Sequence, residues 1–122
     1  MDVDGLQSEL QELVSEFGRR PYAFFTILGS SDESGLDLYT QNERWAFVKS
    51  ETWHSLNLSA YVLWSVSDNG DLLWWDGSQT IAMDHRASMF VSEPVAPRQF
   101  IRLAGMGKIG KVFPPLEPAG EV

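Results

Sequence analysis

The segment from Ala60 to Asp76 constrains this chain more than any other part of it. It reads Ala60-Tyr61-Val62-Leu63-Trp64-Ser65-Val66-Ser67-Asp68, then Asn69-Gly70, then Asp71-Leu72-Leu73-Trp74-Trp75-Asp76. Two runs rich in β-branched and aromatic residues flank an Asn-Gly pair, which supplies the two positive-φ positions of a type I′ turn. A two-residue hairpin is therefore predicted, with Asp68 opposite Asp71, Val66 opposite Leu73 and Trp64 opposite Trp75. Side chains alternate along a strand, so Val62, Trp64, Val66, Leu73 and Trp75 share one face while Leu63, Ser65, Leu72, Trp74 and Asp76 share the other. The first set is the expected core face, with Trp64 and Trp75 as a cross-strand aromatic pair. Trp74 is then either packed under a helix or, beside Asp76, an aromatic anchor for a partner.

The rest of the chain is read around this hairpin. Asp76-Gly77-Ser78 makes a turn into a third strand, Thr80 to His85, which gives an antiparallel meander. At the start of the chain, Leu6, Leu10, Leu13, Val14 and Phe17 fall at helical spacing, with Asp4 as N-cap and Gly18 as stop. Glu9, Glu12 and Glu16 lie off that stripe and read as a solvated acidic face. Pro21 to Leu28 fits a short helix with proline at its first position, or a buried strand, and the helix is preferred. Gly29 to Gly35 is a loop by composition, and Leu36, Leu38 and Tyr39 a short strand. Asn42 to Trp53 is predicted to be helical, with Trp45, Val48 and Thr52 on one side. Pro97 to Gly105 has a proline start, a Phe/Ile/Leu side and a glycine stop, so it forms a closing helix. The expected fold class is α+β: one domain over residues 1–122, an antiparallel sheet flanked by helices, with 106–122 as an extended C-terminal arm.

At 122 residues the chain has the size of one domain. Its 17 acidic and 9 basic residues give a net charge of −8. Residues 1–76 carry 13 acidic and 4 basic side chains, and residues 77–122 carry 4 and 5, so the excess lies entirely in the first part. That balance opposes general binding to nucleic acid, which depends on cationic groups displacing counterions, and favours basic protein partners. No apolar run approaches the ~18 residues of a spanning helix, and Met1-Asp2-Val3-Asp4 lacks the cationic start of a secretory signal, so a cytoplasmic protein without a membrane role is expected. The absence of cysteine excludes disulfide scaffolds, thiol nucleophiles and the common zinc modules.

Side chains with catalytic potential are sparse. His85 stands in Asp84-His85-Arg86 with Ser88 nearby, but no Gly-x-Ser-x-Gly elbow accompanies it and His54 is the second of only two histidines. The Asp-Asn-Gly-Asp turn superficially suggests a calcium loop, but Leu72-Leu73-Trp74-Trp75 offers no oxygen ligands and the distal Glu is missing. The chain is accordingly expected to be no enzyme and to need no cofactor or metal.

The order of these parts resembles the SUKH superfamily, which comprises bacterial toxin-immunity proteins and relatives in cell-wall assembly regulation. The resemblance lies in Tyr61 to Asp76, an apolar strand, a Gly-Asp turn and an aromatic strand, and in Val95-Ala96-Pro97-Arg98-Gln99-Phe100-Ile101-Arg102-Leu103, with its Phe before an apolar pair. It spans roughly Leu36 to Leu103, while Arg20-Pro21-Tyr22 departs from the Leu-Pro that often opens the second helix in members. The resemblance implies an α+β domain that binds a cognate toxin stoichiometrically and performs no catalysis, the toxins of such systems often being nucleases. A basic toxin would be steered by an acidic binder. Candidate partner-binding residues are Asp32, Glu33, Asp37 and Glu43, with Trp74 and Asp76 near the hairpin end. The alternative is a non-catalytic interaction or regulatory module of a larger assembly.

Overall fold

The sheet is a five-stranded antiparallel meander in which spatial order follows chain order, β1-β2-β3-β4-β5. The structure is a computed structural model that describes residues 3–20, 25–29, 35, 37–46, 58, 60–67, 70–83 and 90–105. Its elements are α1 (Val3–Phe17), β1 (Phe25–Ile27), α2 (Leu38–Arg44), β2 (Val62–Ser67), β3 (Leu72–Trp75), β4 (Thr80–Met83), β5 (Phe90–Glu93) and α3 (Pro97–Gly105). Together these make an α+β architecture. The C-terminal arm, His54, His85, Ser88, Asp32 and Glu33 fall outside the described residues.

Helix α1 follows its apolar period. Leu6, Leu10 and Leu13 are buried, and Val14 and Phe17 pack against the core from its margin. Gly18 takes φ +83° and donates its N–H to the Val14 carbonyl at 2.8 Å, an αL stop that a side chain would strain. Asp4 is already helical, so it is not the N-cap expected of it. Helix α3 spans Pro97 to Gly105 as read from the sequence, with Phe100, Ile101 and Ala104 buried.

Elsewhere long-range pairing overrides the local reading. Phe25 to Ile27 is a strand and not the preferred helix, because its backbone pairs with Ser65 to Ser67 of β2. Leu38 and Tyr39 open a helix where a strand was expected, because the Asp37 carboxylate accepts the Thr40 N–H at 2.9 Å and caps it. That helix begins four residues before the predicted Asn42 and is capped at Trp45, and residues 47–53 of the predicted span, Val48 and Thr52 among them, lie outside the described residues. Phe90 to Glu93 adds a fifth strand beyond the three expected around the hairpin.

The hairpin register also differs from expectation. Ser67, not Asp68, stands opposite Asp71: Ser67 N–H donates to the Asp71 carbonyl at 2.9 Å, and Gly70 N–H to the Ser67 carbonyl at 3.1 Å. The loop therefore has three residues and ends on Gly70 at φ +89°, the left-handed position of a G1 bulge. The buried Ser67 hydroxyl locks this register by donating to Asp71 Oδ2 and accepting the Asp71 N–H, each at 2.8 Å. Val66 then faces Leu72, and Ser65 faces Leu73. A bulge at Trp64 shifts the pairing again, so that Leu63 faces Trp74 and Val62 faces Trp75. No Trp64–Trp75 pair forms. Trp64 meets Phe100 of α3 edge to face, with centroids 6.3 Å apart and planes at 85°. The expected division into a core face and an outer face also fails: Leu63, Trp64, Val66, Leu72, Leu73 and Trp74 are all buried, whereas Val62 and Trp75 are only partly so. The central strands are enclosed on both sides.

Candidate functional site

The bulge in β2 is held from outside the sheet. β1 is three residues long and pairs β2 only from Ser65 to Ser67, which would leave the polar groups of Trp64 and Leu63 open on that edge. Leu28 N–H reaches the Trp64 carbonyl at 3.0 Å. Asn42 of α2 completes the edge: its Oδ1 accepts the Leu63 N–H and its Nδ2 donates to the Leu63 carbonyl, both at 2.9 Å, while Nδ2 also meets the Leu38 carbonyl at 2.8 Å. One amide thus satisfies both backbone groups of a strand residue and fixes α2 against β2. Gln41 secures the same helix by donating to the Gly35 carbonyl at 2.9 Å and accepting the Trp45 indole N–H at 3.1 Å.

These inward contacts decide which side of α2 faces outward. Leu38 and Gln41 are buried, whereas Tyr39, Thr40, Glu43 and Arg44 are exposed. Tyr39 shows 73% of its surface and is the exposed large hydrophobic side chain among the described residues. Glu43 lies one turn further along the same side.

The other sequence-predicted positions have different surroundings. Asp37 is buried and serves as the α2 cap. Trp74 has no exposed surface, so the packed alternative fits it and it offers a partner no anchor; its indole N–H has no hydrogen-bond partner among the described residues. Asp76 lies at the β3–β4 turn, where Oδ1 accepts the Ser78 N–H and Gln79 N–H, each at 2.8 Å, and the Ser78 hydroxyl at 3.1 Å. Burial pushes the Asp76 carboxyl up, but these donors and the Tyr61 phenol outweigh it and hold the group below the usual carboxylate range. Burial is also the main cause that raises the Tyr61 phenol, reinforced by the Asp76 charge and opposed by the amide of Gln79. Gln79 donates to the Tyr61 oxygen and accepts the Ser92 hydroxyl at 2.6 Å, so the network joins the start of β2 to the β3–β4 turn and β5. Asp37 and Glu43 belong to α2, and Asp76 to this separate turn network.

The acidic face of α1 is not merely solvated. Arg102 Nη2 and Nε reach Glu16 at 2.6 and 3.1 Å, Arg98 Nη1 lies 3.3 Å from Glu12, and Arg98 Nε lies 3.4 Å from Glu9. The Arg102 guanidinium also stands 5.9 Å from the Phe17 ring centroid. Glu9 accepts the backbone N–H of Arg98 at 3.2 Å as well. Ala96, which precedes Pro97, has no side-chain acceptor, so Glu9 supplies from another helix the anion that the start of α3 lacks. The signal for this clamp was Arg98 and Arg102 at i and i+4, which matches the spacing of the α1 carboxylates. On its other flank α1 borders a groove of about 430 Å³, lined by apolar Leu10, Val14, Ile27 and Leu38 and by polar Gln7, Gln11, Ser15 and Arg19.

Among the described residues no three His, Asp or Glu side chains converge to hold a metal, and no helix is long and apolar enough to cross a membrane. Comparison with protein-family models, with curated proteins and with solved structures found no match to this chain.

Proposed function

We propose that this chain is a SUKH-type immunity protein that acts in the cytoplasm, binding a basic bacterial toxin one to one and keeping it from its target. The observation that carries the reading is the architecture: an antiparallel meander built on the Tyr61–Asp76 segment, with α1 before it and the Phe100 helix packed back on Trp64. This agrees with the α+β arrangement that the resemblance implies. The net charge of −8 adds a physical reason for a basic partner, since complementary fields raise the encounter rate.

The test is co-expression with the protein encoded by the adjacent reading frame. The expected outcome is rescue of cells from that protein's toxicity and recovery of an equimolar complex. Failure of both rescue and complex formation would overturn the reading. Recovery of the chain only within a larger assembly unrelated to toxicity would support an interaction module instead.

A further inference from the structure

We infer that the exposed side of α2, built on Tyr39 and Glu43, is the docking surface for a cationic protein segment; this rests on reading the chain as a binder of a basic partner. Tyr39 and Glu43 are four residues apart, so they stand one above the other on one side of the helix. Arg44 projects about 100° further round the helix. The inner side of α2 is tied down by Asn42 on Leu63 and by Gln41 on Gly35, so the outer side is presented by a fixed element and little order is lost on binding.

Charge complementarity selects the occupant. Residues 1–76 carry the whole acidic excess, but most of the carboxylates described there are used within the fold. Arg98 and Arg102 engage Glu9, Glu12 and Glu16, the Thr40 N–H engages Asp37, Ser67 engages Asp71, and the β3–β4 turn engages Asp76. Glu43 is exposed and has neither an ion pair nor a side-chain hydrogen bond among the described residues. A guanidinium or ammonium group can lie over the Tyr39 ring while pairing with the Glu43 carboxylate, and both contacts favour a cation over any neutral group. Tyr is also among the residue types that dominate binding energy at protein interfaces. The groove beside α1 has Arg19 with Gln7, Gln11 and Ser15 among its described lining residues and no carboxylate among them, so it offers a cation no such pair.

The experiment uses the full chain and an octa-arginine peptide as probe, with affinities from fluorescence anisotropy at low salt and the site mapped from backbone amide shifts. Tyr39→Ala leaves the charge unchanged and is expected to weaken binding about threefold to fivefold, the scale of an exposed cation–π contact. Glu43→Gln is expected to weaken it to a similar extent, whereas Ser8→Lys on exposed α1, with the same change in net charge, should alter it less than about twofold. All three positions are exposed, so melting temperatures should stay at the wild-type value, and a variant with a lowered one is replaced by Tyr39→Ser or Glu43→Ala. Equal weakening by Glu43→Gln and Ser8→Lys, with Tyr39→Ala unchanged, would overturn the inference in favour of diffuse charge. Shifts centred on the α1 groove, or no binding, would overturn it too. Intact peptide binding at α2 without protection from a toxin would count against the immunity reading and leave this surface standing.

Discussion

Asn42 replaces, with one side chain, the stretch of strand that β1 is too short to supply. Its amide is the partner of both Leu63 polar groups, so removing it strands a donor and an acceptor at the edge of the sheet. Asn42→Ala is expected to cost about 2–4 kcal/mol, read as a lower urea midpoint with an unchanged m-value. Asp76 works on the same principle at the β3–β4 turn, but through a titrating group. Because its folded-state pKa is depressed, its contribution is fully present above the unfolded value near 4 and is lost as pH falls through the folded value. Asp76→Asn should therefore be less stable than wild type at pH 6, by about 1 kcal/mol, and the gap should close as the pH is lowered below about 4. Urea unfolding of both proteins between pH 2.5 and 6, taken as about six points, measures that gap. A gap that stays constant with pH would show that the carboxylate charge is not what the turn uses.

At the scale of elements, the helices and the sheet divide by how local their signals are. α1 and α3 announce themselves through apolar residues at a 3.6 period with glycine at the end, a pattern each segment carries by itself. β2, β3 and β4 were legible in type, but the register of β2 on β3 was not. The Asn-Gly pair fits a two-residue turn, whereas the Ser67–Asp71 side-chain lock and the Asn42 amide impose a three-residue loop and a bulge. The lock lies within the hairpin, but Asn42 sits 21 residues from Leu63, so no window around the hairpin contains the partner that holds the bulge. β1 and β5 were obscured for a related reason: short apolar runs gain their identity from the strand they pair with. The candidate site was legible only in part. Glu43 was marked by charge, but Tyr39 was assigned to a strand, and only the capping of α2 by Asp37 turns it outward. Gly70→Ala, at φ +89°, should cost about 1–2 kcal/mol and lower the melting temperature by several degrees. The α1–α3 clamp should show a coupling of about 0.2–1 kcal/mol in a Glu16→Gln, Arg102→Gln double-mutant cycle, falling as salt is raised, since both side chains are partly exposed.

Across the whole molecule, the fold sorts its acidic excess by use. The carboxylates of α1 are matched by the arginines of α3, which helps explain why the last third of the chain is nearly balanced in charge. Asp37, Asp71 and Asp76 are taken up in a helix cap and two turns. The hydrogen-bonded carboxylates keep their charge and still contribute to the long-range field, but within residues 1–76 Glu43 is the one whose described side chain is left open to pair directly with a partner. Aromatic contact would then set the lifetime of a complex, and charge mainly the rate at which it forms. The central claim is that the chain is a stoichiometric binder of a basic toxin. Isothermal titration of the chain with the protein encoded beside it, at low and at high salt, tests that claim most directly. The account predicts a one-to-one complex whose affinity falls as salt is raised; no heat of binding at either salt would contradict it.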